Sequence, residues 1–211
     1  KGNVINPDDM VREYGTDALR MYEMFMGPLD SDKPWDPNGI EGSKKFLDRV
    51  WRLFVEDNKI KDEENKNLEK IYHQTVKKVT NDYETLNFNT AISQMMIFIN
   101  AVYKEEVFPM EYAMGLVKLL NPIVPHITEE IWQTIFNKTE SIANETWPIY
   151  DGTKIIDDTF TMIVQVNGKV RGKIEVDSNT SEDEMKQLAL DIDNVKTYTD
   201  AGEIVKVIVV P

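Results

Sequence analysis

Cysteine is absent from the 211 residues of this chain, and His73 and His126 are its two histidines. The missing thiols exclude disulfides and cysteine-ligated zinc, and two histidines argue against a histidine metal site. No apolar run reaches the roughly 18 residues that a membrane-spanning helix needs. The sequence opens with neither an initiator methionine nor a signal peptide and is interpreted as the interior of a longer protein. We therefore expect a cytoplasmic protein that binds no metal and no membrane.

Positive charge is also scarce. The chain has 24 lysines and arginines against 37 aspartates and glutamates, which gives a formal net charge of −13. Proteins that bind nucleic acid without specificity are usually basic, so any RNA contact here must depend on a local basic face. Hydrophobic residues make up 41% of the chain. That content, at this length, allows one large or two small domains with a real core.

The stretch LLNPIVPHITEEIW, residues 119–132, contains two helix boundaries. Pro122 has no backbone N–H, so the preceding helix is predicted to end at Asn121. Pro125 suits the first position of the next helix, whose apolar residues recur at helical spacing and predict a buried face. His126 is interpreted as a packed histidine that bonds a nearby carbonyl, because a lone histidine lacks catalytic partners.

Helical periodicity also recurs upstream of that stretch. A helix is predicted from Gly39 to Asp57, with Trp51 in a wide apolar stripe. The charge run 56–66 is predicted to form a mobile loop. Residues 137–159 are interpreted as a polar linker that Trp147 pins onto the helices. Several helices joined by short turns are typical of an antiparallel bundle.

One face of the helix from Gly39 concentrates positive charge. Lys45, Arg49 and Arg52 follow helical spacing, and residues 44–52 hold four basic groups and one acid. Such a face can bind successive phosphates of a folded RNA. On these residues alone the alternative stays open, namely a solvated face whose side-chain stems cover apolar neighbours.

Residues 160–211 predict a small α/β unit in the order ββα…β. The first two strands flank Asn167-Gly168, a strong hairpin signal, and Ser181 begins a capping box at the start of a helix. Residues 203–210 are rich in β-branched side chains and are predicted as the last strand.

The hairpin sequence also predicts where its charges project. A two-residue turn would mix charged with apolar side chains on one face, so a three-residue loop with Gly168 in a bulge is predicted. Lys169, Arg171 and Lys173 would then project together from the opposite face and could follow an RNA backbone. The alternative is charge that blocks edge-to-edge aggregation.

Several blocks of the sequence resemble class I aminoacyl-tRNA synthetases. LNPIVPHITEEIW resembles the helical anticodon-binding domain of the leucine, valine, isoleucine and methionine enzymes, and GIEGSKKFLDRVWRLF belongs to the same resemblance. VQVNGKVRGKI resembles the C-terminal domain of bacterial leucyl-tRNA synthetases, which contacts the outer corner of the tRNA. The opening KGNVINPDDMVREYGTDALRMYEMF resembles the segment after the KMSKS signature loop, with Lys1, Gly2 and Asn3 as the remnant of that loop.

The resemblance implies a mainly α fold, with a bundle of the class Ia anticodon-binding type followed by a small α/β domain. Residues 1–38 would be a remnant of the catalytic domain, residues 39–150 the bundle and residues 151–211 the C-terminal tRNA-binding domain. The KMSKS signature, the HIGH motif and the editing domain are missing. The resemblance therefore implies a fragment that cannot activate an amino acid.

The function implied by the resemblance is tRNA binding within a leucine–tRNA ligase. The parent enzyme would use ATP with magnesium, whereas this part would bind no cofactor. The implied partners are tRNA(Leu) and the catalytic and editing domains of the same polypeptide, in a monomer. The implied tRNA-binding residues are Lys45, Arg49, Arg52, Lys169, Arg171 and Lys173. Two alternatives stay open: a valyl-type enzyme of the same class, or an acidic helical protein-interaction module with no RNA ligand.

Overall fold

Helices make up most of the chain, as its periodicity predicts. The computed structural model describes residues 5–155, 159–178, 180–200 and 202–210, so the proposed loop remnant, Lys1 to Asn3, lies outside the described residues. The chain divides into an N-terminal unit, residues 1–155, and a C-terminal unit, residues 156–211. The sequence-based boundaries at 38/39 and 150/151 stay predictions. Across the described ranges, no helix is both long and apolar enough to cross a membrane.

The N-terminal unit is built from helices α1 to α7. They span Pro7–Tyr14 (α1), Thr16–Phe25 (α2), Pro37–Val55 (α3), Lys66–Glu84 (α4), Phe88–Val102 (α5), Met110–Leu120 (α6) and Pro125–Thr134 (α7).

Local sequence signals set several of these helix ends. α6 ends at Leu120 and α7 begins at Pro125, which confirms both boundaries predicted within residues 119–132. α3 begins ahead of its predicted start, because the Asp36 side chain accepts a hydrogen bond from the backbone N–H of Asn38 at 2.9 Å. A carboxylate in that position caps the first turn of the helix.

The six helices from α2 through α7 share one hydrophobic core. Trp132 of α7 is fully buried in it, whereas Trp51 of α3 is only half-buried, although its apolar stripe predicted burial. Gly115 of α6 is required by close packing, since a Cβ there would lie 2.1 Å from the hydroxyl oxygen of Tyr72. The Tyr72 ring stacks on Tyr112, with the ring centres 4.1 Å apart.

The charge run 56–66, predicted to be a mobile loop, contains a short paired strand. Ile60–Lys61 (β1) pairs in parallel with Phe108–Pro109 (β2), and Lys59 Nζ donates to two backbone carbonyls of the α5–β2 connection at 3.0 and 2.7 Å. The single apolar residue of the run lies beside the fully buried Phe108, which anchors the segment.

Residues 147–155, which we call the strap, cross one face of α4. Their partners on α4 are spaced three or four residues apart and so share that face. The contacts are Trp147 Nε1 to Thr80 Oγ1 at 2.8 Å, Lys77 Nζ to the centre of the Tyr150 ring at 5.8 Å, the Asp151 N–H to His73 Nδ1 at 3.1 Å, and Lys154 Nζ to Glu69 at 2.7 Å. The prediction that Trp147 pins the linker onto the helices is confirmed.

The C-terminal unit is a hairpin followed by two short helices. It comprises Thr159–Val166 (β3), Lys169–Asp177 (β4), Glu182–Leu190 (α8) and Asp193–Thr199 (α9). The capping box at Ser181 is confirmed: its hydroxyl accepts from the Glu184 N–H, and the Glu184 carboxylate accepts from the Ser181 N–H.

The predicted last strand is wrong. Residues 202–210 form no strand, and Val205 is 95% exposed. β-branched side chains favour a strand only where a neighbouring strand and a packed face receive them, and within the described residues the β3–β4 sheet has two strands. The fold class, a helical bundle followed by a small α/β unit, is confirmed.

Candidate nucleic-acid interface

Basic side chains line an exposed face of α3, as predicted. Lys45 Nζ lies 3.5 Å from Glu41, and Arg52 Nε lies 3.9 Å from Glu56, in both cases one helical turn away. Exposed ion pairs of this kind contribute little to stability, because water screens them. The two cations can therefore exchange a carboxylate for an anionic ligand at small cost.

Arg49 is held differently from its two neighbours. Its guanidinium donates to Asn100 Oδ1 at 2.8 Å and lies 4.9 Å from the centre of the Tyr103 ring. The Tyr103 hydroxyl donates to the backbone carbonyl of Arg49 at 2.7 Å, and burial raises the pKa of that hydroxyl, so it stays a donor. No carboxylate pairs with Arg49 among the described residues. A fixed guanidinium with uncompensated charge suits phosphate recognition.

Acids from beyond residues 44–52 also reach this face. Residues 44–52 contain one acid, Asp48, which pairs with Lys44, but Glu41 and Glu56 lie just outside that window and reach back to Lys45 and Arg52. The structure therefore brings the three predicted cations together on one helix and places Arg49 at the least neutralised point of the face.

The hairpin turn differs from its prediction. Asn167 and Gly168 both have positive φ, +51° and +75°, and Val166 pairs directly with Lys169. This is a two-residue turn, so the predicted three-residue loop is wrong. Asparagine and glycine tolerate left-handed backbone at low cost, and this geometry matches the twist of the flanking strands.

The predicted pairing of the apolar side chains is nevertheless present. Val164 pairs with Gly172, and Met162 pairs with Ile174. The register shifts between Val164 and Gln165, where one extra residue of β4, Arg171, is accommodated as a bulge. Burial of the apolar face sets the register of the hairpin. The extra residue that this register requires lies within β4 and not in the turn.

The predicted common face of Lys169, Arg171 and Lys173 is consequently wrong. Directly opposed residues share a face of the sheet. Lys169 opposes Val166 and Lys173 opposes Ile163, which places the two exposed lysines on opposite faces.

Arg171 packs within the C-terminal unit. Its guanidinium lies 4.3 Å from the centre of the Tyr198 ring of α9, and its Nε is buried with no hydrogen-bond partner among the described residues. This packing leaves the two lysines as the exposed candidates on β4.

A polar cluster that the sequence did not reveal joins α2 to α7. Asp17, only 8% exposed, accepts hydrogen bonds from the backbone N–H groups of Ile127 at 2.7 Å and His126 at 3.4 Å. His126 Nδ1 also lies 2.7 Å from Asp17 Oδ1, although the histidine side chain is 68% exposed. The interpretation of His126 as a packed residue bonded to a carbonyl is therefore wrong. No local pattern marks this partnership, because 109 positions separate the two residues.

A solvent-open cleft of about 430 Å³ lies beside this cluster. Its walls include Lys44 and Trp51 from α3, Tyr14 from α1 and His126 from α7. The cleft is thus bordered by α3, the helix that carries the basic face.

Comparisons with known proteins give two findings. Residues 65–186 match the family model described as the anticodon-binding domain of tRNA ligase. The whole chain is also similar to a leucyl-tRNA synthetase (LeuRS) from Agrobacterium radiobacter, crystallised in a ternary complex with tRNA and LeuAMS. The TM-score is 0.80 at 27% sequence identity, over 100% of this chain and 30% of the other. This chain thus spans about 30% of the length of the synthetase that it matches.

Proposed function

We propose a function from family membership: this chain belongs to the tRNA ligases that contain the anticodon-binding domain. Its proposed role is to bind tRNA(Leu) as part of a leucine–tRNA ligase. The catalytic domain on the same polypeptide would carry out the ATP-dependent leucylation, and an editing domain would be a second partner within that polypeptide. This role rests on the resemblance of the whole chain to the synthetase seen with tRNA.

The observation that carries the proposal is the position of Arg49. Its guanidinium is oriented by an amide, an aromatic ring and the backbone of its own helix, and Lys45 and Arg52 lie on the same face. Two exchangeable cations around one fixed guanidinium can contact adjacent phosphates of an RNA strand. Such contacts position the tRNA, so that its acceptor end reaches an active site elsewhere in the protein.

The remaining parts of the proposal concern the whole protein. We expect it to act as a monomer in the cytoplasm, with ATP and magnesium bound by the catalytic domain and no cofactor bound by the residues described here. The present chain alone should therefore give only background in a leucine-dependent pyrophosphate-exchange assay. Measurable exchange would contradict the proposal that leucine is activated by another domain of the protein.

A binding assay with matched variants tests the role of Arg49. Arg49→Gln should weaken the binding of a tRNA(Leu) transcript by about tenfold or more, the effect of one charge-assisted hydrogen bond. Arg12→Gln is the control, because Arg12 is an exposed arginine of α1 in an ion pair with Asp9 and carries the same charge. Equal effects of the two substitutions would show that only net charge matters.

Competition between transcripts tests the amino-acid assignment. Unlabelled tRNA(Leu) should displace labelled tRNA(Leu) at lower concentration than tRNA(Val) does. The reverse order would favour a valyl-type enzyme. The net charge of −13 and the acids on the α3 face favour a second candidate, a protein-interaction module, for which neither transcript would bind.

A further inference from the structure

The ring of His126 is exposed and yet held in one orientation. Its side chain is 68% exposed, while its Nδ1 lies 2.7 Å from a carboxylate oxygen of Asp17. A side chain with this exposure buries little apolar surface, so the hydrophobic effect does not explain its position.

The carboxylate of Asp17 performs its structural role without the ring. It accepts hydrogen bonds from two backbone N–H groups at the start of α7, those of His126 and Ile127, and so caps that helix from α2. Both hydrogen bonds would remain if the imidazole were removed. The contact between the carboxylate and the ring therefore orients the ring and adds little to the fold.

That contact also fixes the chemistry of the exposed ring nitrogen. A carboxylate only accepts hydrogen bonds, so His126 Nδ1 carries the proton. In the neutral ring, Nε2 on the far side then has a free lone pair and acts as an acceptor. An acceptor repels phosphate oxygens and pairs with a donor, and the ribose 2′-hydroxyl of RNA is such a donor.

The surroundings of the ring suit a nucleotide. The cleft beside His126 is lined by Lys44, which pairs with Asp48 of the same wall, and by the aromatic rings of Tyr14 and Trp51. Cations and aromatic surfaces together are the usual means of holding single nucleotides of RNA. Lys44 precedes Lys45 on α3 and projects about 100° further around the helix, so the cleft flanks the proposed phosphate-binding face.

We propose that His126 accepts a hydrogen bond from a ribose 2′-hydroxyl of the bound tRNA, with Asp17 as the positioning residue that sets its tautomer. This inference rests on the proposed function, because the ligand is the same tRNA. It adds a residue that distinguishes RNA from DNA to a surface otherwise built from phosphate contacts.

The test compares two probes, a tRNA(Leu) transcript and a DNA of the same sequence, on the wild-type chain and on His126→Ala. Loss of one neutral hydrogen bond should weaken transcript binding roughly three- to tenfold, leave DNA binding unchanged and leave the salt dependence unchanged. Arg49→Gln is the contrasting control, because loss of a phosphate contact should weaken the binding of both probes and reduce the salt dependence.

Each other outcome contradicts a stated part of the account. If the wild-type chain binds the transcript and His126→Ala binds it equally well, the inference fails and the proposed function stands. If His126→Ala weakens both probes and reduces the salt dependence, the ring is a cation on a phosphate and the inference fails. If the wild-type chain binds no transcript, the proposed function fails and the inference fails with it.

A second measurement observes the ring directly in the wild-type chain, and a substitution serves only to assign its signals. Because the chain has two histidines, imidazole nitrogen spectra of the wild-type chain contain two sets of signals, and His126→Gln assigns them. The His126 signals should show the Nδ1–H tautomer, and the Nε2 signal should shift when the transcript is added but not when the DNA is added. An Nε2–H tautomer, or equal shifts with both probes, would overturn the inference.

Discussion

Replacing Asp17 by alanine should separate the structural role of this carboxylate from the binding role of the ring that it orients. The substitution removes the acceptor for the Ile127 N–H at 2.7 Å and for the His126 N–H at 3.4 Å. The first of these hydrogen bonds has good length, and the second is near the limit of a hydrogen bond. Asp17 is 8% exposed, so water does not readily replace the lost acceptor.

The magnitude follows from these contacts. One short hydrogen bond to a charged group contributes about 1.5–3 kcal/mol, and the long one adds little. We therefore expect Asp17→Ala to lower the free energy of unfolding by about 2–3 kcal/mol. A unit of this size loses about 2–4 °C of thermal midpoint per kcal/mol, so the midpoint should fall by roughly 5–10 °C.

Thermal unfolding followed by circular dichroism measures this effect, with two control variants. Asp17→Asn keeps one acceptor oxygen and should lose less than the alanine variant. His126→Ala removes only an exposed contact and should cost less than about 1 kcal/mol. The reasoning is refuted if Asp17→Ala melts with the wild-type chain, or if His126→Ala is as destabilising as Asp17→Ala.

Two further predictions concern packing and pH. Gly115→Ala should lower the free energy of unfolding, measured by urea denaturation, by about 1–3 kcal/mol, because its Cβ would overlap the hydroxyl of Tyr72. The control is Gly42→Ala, because a Cβ at that helical position meets open space. That control variant should be slightly more stable than the wild-type chain. Burial and then the charge of Lys154 lower the pKa of His73 from 6.5. The unfolded chain thus binds this proton at higher pH than the folded chain, so the free energy of unfolding should fall as the pH drops below about 6.5, until the pH passes the folded-state pKa. His73→Gln should flatten that dependence in urea melts, and an unchanged pH profile would contradict it.

Helix boundaries were predictable here because their causes are local. Pro125 acts within its own turn, and the Ser181 capping box spans only four positions, so both can be recognised without knowledge of the fold. The basic face of α3 was predictable for the same reason. Residues 44–52 alone did not indicate that Lys45 and Arg52 pair with acids outside that range.

Features that depend on distant partners were not predictable from one sequence. Asp17 meets His126 across 109 positions, and nothing near either residue indicates the contact. The hairpin prediction failed in a different way. The alternation of apolar and charged side chains correctly required one extra residue between the paired strands, but it did not distinguish a longer turn from a bulge at Arg171. The segment 203–210 has the composition of a strand, but a strand forms only when a neighbour pairs with it.

The central claim, that the basic face of α3 binds the phosphates of tRNA, is tested most directly by a salt titration. The affinity for a tRNA(Leu) transcript is measured against salt concentration for the wild-type chain and for the triple variant Lys45→Gln, Arg49→Gln, Arg52→Gln. Each phosphate contact contributes about 0.7–0.9 to the slope of log K against log salt, so the triple variant should lose about 2–3 units of slope while keeping its thermal midpoint. An unchanged slope in a folded triple variant would contradict the claim.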